Sequence, residues 1–143
     1  MKQITLSFKW TLLLVGAIFM VMALGFIAKG LMISMAEFQV PQEILNSPHY
    51  YDSMLWVYVH MTVLGLLILL IGISVTDLNK QKWIALILFV VHLFYAYLDF
   101  RTSDSMFGNG LYKGEASLIP AFMGATITFV FLLLTIGLFR KKA

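Results

Sequence analysis

The chain has 143 residues, 61% of them hydrophobic and 12% charged, with a net charge of +3 and a mean hydropathy of +0.91. A soluble domain of this length carries far more polar surface, so the composition is that of a membrane protein. No basic patch of the kind that reads nucleic acid is present, and the lack of cysteine excludes disulfide relays, thiolate metal sites and cysteine nucleophiles.

Four apolar stretches follow one another, at about 10–30, 53–76, 83–101 and 116–139. A spanning helix needs roughly 20 residues to cross ~30 Å of hydrocarbon, so each is long enough. The expected fold class is all-α: one domain, a membrane-embedded bundle of four transmembrane helices. Lys2 and Lys9 ahead of the first stretch imitate a signal peptide, but apolar character resumes through "FIAKGLMISM", which favours an uncleaved helix. The connection from Leu31 to Asp52 contains "FQVPQEIL", where Pro41 suits a first turn and good helix formers follow. A short interfacial helix is expected there. The link "DLNKQK" (Asp77 to Lys82) is short and makes the second and third spans antiparallel neighbours. "RTSDSMFGNGLYKGEAS", with three glycines and an Asn-Gly pair, is expected to form tight turns before the fourth span.

The basic residues set an orientation. Lys2, Lys9, Lys80, Lys82, Arg140, Lys141 and Lys142 fall on one side, and Lys29, Arg101 and Lys113 on the other. The positive-inside rule then puts both termini in the cytoplasm of a bacterial-type inner membrane, with Trp10 and Trp83 at the inner interface and Tyr50, Tyr51 and Tyr112 at the outer one. Gly16, Ala23 and Gly30 recur every seven positions, as do Gly65 and Gly72, and Ala121 and Ala125 stand at small-xxx-small spacing. Such seams let helix backbones approach closely within a chain or between copies, so a homo-oligomer or a place in a larger membrane complex is expected.

Ionisable groups inside spans are costly and mark function or internal pairing. On the second span Ser53, Trp56, His60, Leu64 and Leu67 share a face, opposite Gly65 and Gly72; on the third, His92, Tyr95 and Asp99 share one. Counting at 1.5 Å per residue, His60 lies ~10 Å and His92 ~13 Å below the outer end. The expected site is an outward-facing pocket: a rim of Lys29, Asp52, Arg101 and Glu115, then Asp99, Trp56 and Tyr95, then the two imidazoles. Such a pocket suits a lipophilic or aromatic ligand, or a partner. The simplest alternative for each histidine is a hydrogen bond to a neighbouring helix. A second is haem b, in an electron carrier with His60 and His92 as axial ligands. A third is an oligomeric channel or transporter component, although no span has a mid-membrane Gly/Pro break. The methionines lack the close spacing of a copper site and read as filler. No protease, kinase, Rossmann or P-loop motif is present, and no catalytic residue is assigned.

The stretches "WVYVHMTVLGLLILLIG", "TDLNKQKWIAL" and "VHLFYAYLDF" resemble the small four-helix membrane proteins grouped as BphX-like, with DoxX-like proteins as a wider circle. The resemblance is one of hydropathy and spacing over the second and third spans. It implies a four-helix membrane fold and no reaction. Where that family pattern tends to carry glutamate this chain has His60 and His92, so no residue role transfers.

Overall fold

The computed structural model describes residues 6–106 and 108–141. Lys2 and Lys142 therefore lie outside the described residues. All regular structure among those described is helical: α1 (Phe8–Lys29), α2 (Leu31–Glu37), α3 (Gln42–Leu45), α4 (Pro48–Ser74), α5 (Leu78–Thr102) and α6 (Leu118–Phe139), with a 3-10 turn at Glu115–Ser117. The four long helices are long and apolar enough to cross a membrane. This is the architecture of a multi-pass membrane protein.

Local chemistry sets the helix ends. Gly30 adopts φ +97, a left-handed backbone that disfavours any side chain, and this breaks α1 from α2. Pro41 precedes α3 as its cap, so a helix of four residues forms where one was expected, and α2 adds another earlier in the same connection. A second proline, Pro48, opens α4 with its φ preset, five residues before the expected start at 53. Asp77 caps α5: its carboxylate accepts from the Lys80 N–H at 2.8 Å, starting that helix at Leu78 rather than at 83. Four threonine hydroxyls within the long helices are satisfied locally. Thr62, Thr126, Thr128 and Thr135 each donate to the carbonyl four residues back.

The helices pair as α1 with α4 and α5 with α6. The second and third spans run antiparallel across their short link, as expected, but each packs most closely against another helix rather than against the other. The reason is the glycine seam. A Cβ on Gly16 would lie 2.7 Å from the Gly65 carbonyl oxygen, and one on Gly65 would lie 2.8 Å from that of Gly16. Gly72 faces Leu12 just as closely. Only bare backbones can approach this far, and the contact fixes α4 on α1. In the other pair Gly124 of α6 meets Ala96 of α5. Phe8, Leu12, Val15 and Phe19 of α1 then join the pairs through Ile68, Leu88, Phe131 and Leu134 in one core.

Candidate functional site

The expected site residues divide into separate places. His92 is in the interior, 2% exposed. Its ring stacks on Phe19 with centroids 5.4 Å apart, lies 4.7 Å from Phe131 and meets the edge of Tyr95 at 5.9 Å. The Nδ1–H donates to the Leu88 carbonyl at 2.7 Å, and Nε2 has no partner. With Nδ1 as donor, a neutral ring keeps Nε2 as a lone-pair acceptor.

His60 is on the opposite face of its helix from the glycine seam and is exposed. Its ring stacks on Trp56 at 4.3 Å and 21°, and its Nδ1–H donates to the Trp56 carbonyl at 2.8 Å. Leu55, Trp56, Val59 and His60 line a shallow groove of about 300 Å³. All four belong to α4. The expected convergence of His60 with His92 and Tyr95 therefore does not occur, because the face carrying Gly65 and Gly72, not the one carrying His60, turns inward. Axial ligation of one haem by His60 and His92 loses its geometry for the same reason. One iron needs both Nε2 atoms on its two sides, whereas His92 is closed in by Phe19 and Phe131.

Asp99, like His92, meets groups from other elements. It is half-buried, its carboxylate is directed at Gly124 of α6, and the phenols of Tyr58 and Tyr112 lie within its electrostatic reach. No protein group bonds or ion-pairs with that carboxylate among the described residues. Tyr50 adds a buried hydroxyl beside the Tyr112 phenol. Aromatic faces connect these groups: Tyr58 stacks on Phe26 at 4.9 Å, Phe26 on Phe38 at 6.2 Å, and Phe38 meets Tyr112 at 5.4 Å. Burial pushes the Tyr112 phenol above its ordinary range, so it stays neutral at physiological pH.

The loop after α5 builds this cluster. Asn109 N–H donates to the Arg101 carbonyl at 2.7 Å, Tyr112 N–H to Thr102 at 2.9 Å, and Lys113 N–H to Phe38 of the first connection at 2.9 Å. The bonded turns expected from the glycines are present, and they hold Tyr112 against Phe38. From the sequence, Tyr50 and Tyr112 are expected in an interfacial belt. A signal for Tyr58 was available, since it continues the α4 stripe of Met61, Gly65, Ile68 and Gly72 by one more turn.

The expected charged rim is also revised. Lys29 pairs with Glu37 of α2, which the sequence did not single out. Asp52 and Glu115 are exposed, and exposed Arg101 donates to the Tyr97 hydroxyl at 3.4 Å. Among the described residues these rim charges form no ion pair with one another. No set of three or more metal-ligating side chains gathers among the described residues. The chain matches no known protein family, no characterised protein and no solved structure.

Proposed function

We propose that this protein is a non-enzymatic binding or accessory component of a bacterial-type inner membrane, with both termini cytoplasmic. Its ligand is a flat lipophilic molecule bearing one hydrogen-bond donor, taken up in the α4 groove. One observation carries the reading: the imidazole of His60 spends its donor on its own helix and leaves Nε2 open beside the exposed face of Trp56. An acceptor facing hydrocarbon is costly unless something donates to it. An indole face beside that acceptor suits a ring carrying a hydroxyl. The seven-to-three distribution of basic residues supports the orientation. The resemblance to BphX-like proteins supports the fold and adds no residue role. A second reading, a helix of a partner subunit or of another copy on this face, is favoured by the apolar stripe that continues down α4 through Val63, Leu70 and Ile73.

A brominated phenol and its methyl ether, titrated against protein carrying Trp10→Phe and Trp83→Phe, test the ligand reading through heavy-atom quenching of Trp56. The phenol is expected to quench saturably and more tightly than the ether, and His60→Leu should make the two alike. Equal quenching of the unsubstituted groove by both compounds refutes it.

A further inference from the structure

A second groove, of about 270 Å³, lies where α1 gives way to α2. Its floor is apolar: Val21, Met22, Gly25 and Phe26. Its upper end is polar, with Lys29, Ser34 and Glu37. Three features make it more than a surface irregularity. The break at Gly30 turns the chain so that Glu37 meets Lys29 eight residues on, fixing one cation and one anion side by side, each about half exposed. Ser34 is fully buried, and its hydroxyl finds no partner in the protein. Finally, a Cβ on Gly25 would meet nothing within 4 Å, so the helix surface is left open there.

We infer that this notch is a binding site for a diacyl phospholipid whose headgroup carries both a phosphate and a primary ammonium. Val21 to Lys29 covers two turns of α1, about 12 Å at 1.5 Å per residue, which is room for the upper part of an acyl chain along the bare strip at Gly25. The phosphate lies against Lys29 and the ammonium against Glu37. The lipid thereby exchanges one ion pair for two and leaves no charge uncompensated. Ser34 supplies its unused donor to a phosphate or ester oxygen. The pairing also discriminates. An anionic headgroup without an amine offers Glu37 neutral hydroxyls at most and no cation, and a quaternary ammonium has no N–H to donate. The site is separate from the α4 groove and requires only that α1 end near headgroup level.

The test is native mass spectrometry of delipidated protein in detergent, with dioleoyl phosphatidylethanolamine, phosphatidylglycerol and phosphatidylcholine compared at equal mole fraction. Phosphatidylethanolamine is expected to bind roughly tenfold more tightly than either, the worth of one charge-assisted contact. Glu37→Gln should remove that preference, and Lys29→Gln should weaken the binding of all three lipids. Gly25→Leu, which fills the strip without touching the ion pair, should abolish the tight adduct while the melting temperature in lipid-free detergent stays unchanged. Soluble phosphoethanolamine should fail to compete at equal concentration, because the acyl chain supplies part of the binding. Equal affinity for the three lipids, an undiminished adduct in Gly25→Leu, or full competition by the soluble headgroup each overturns the proposal.

Discussion

At the scale of single residues, two histidines in similar apolar sequence reach opposite solutions. Both spend Nδ1–H on the carbonyl one turn back, so their helices satisfy half of each ring. For His92 the other half is an acceptor enclosed by aromatic rings, which gives a defined expectation. His92→Ala removes a buried ring and should cost about 3 kcal/mol, in the range of aromatic deletions. His92→Phe keeps the stacking, removes the unpaired acceptor and should cost less than about 1.5 kcal/mol. Thermal unfolding in detergent separates the two; a larger loss for Phe than for Ala would mean that Nε2 is bonded in the folded protein. Glycine 108 offers a harsher case, since a Cβ there would lie 1.8 Å from the Ser103 carbonyl oxygen. Gly108→Ala should open the loop that holds Tyr112, and limited proteolysis should report new cuts between 103 and 114 while the helices remain protected.

Among the elements, the close approach of α1 and α4 has the most to lose from a side chain. Gly65→Leu forces Gly16 and Met20 away and should destabilise by about 1–3 kcal/mol through overpacking, read as a fall in melting temperature in detergent. Asp77→Ala removes the α5 cap and should cost about 1 kcal/mol on the same measurement. The sequence placed these elements well because length and hydropathy determine a spanning helix almost alone. It also separated the two faces of α4 correctly, with Gly65 and Gly72 on one and His60 on the other. The error was in choosing which face turns inward. A polar side chain can be satisfied by its own helix, as His60 is, whereas a glycine pair has no use except against a neighbour. The steric signal therefore outranks the polar one. The Tyr58–Tyr112–Asp99 cluster was only partly legible, because Tyr112 arrives through loop hydrogen bonds that no periodicity encodes.

For the whole molecule, alternating direction along four helices brings the two long connections to one end, where the Lys113–Phe38 backbone bond joins them. The proposed orientation makes that end extracytoplasmic. Reporter fusions within Asp77 to Lys82 and after Arg140 should both report cytoplasm, and a periplasmic signal from either would reverse the assignment. Asp99, Tyr50 and Ser34 all stand towards the connected end, while at the opposite end Trp83 meets the edge of Phe139.

The pairing of α1 with α4 and of α5 with α6, joined by the short link at Val75–Asp77, bears on how the protein is made. Each pair is a hairpin whose own seam is complete before the other is needed, so the first can settle in the bilayer while the ribosome is still translating α5. Assembly is then a docking of two preformed hairpins through Phe19, Ile68 and Phe131 rather than a simultaneous search by four helices. Two halves divided at Thr76 and co-expressed as separate polypeptides should associate and co-purify, and each alone should still insert.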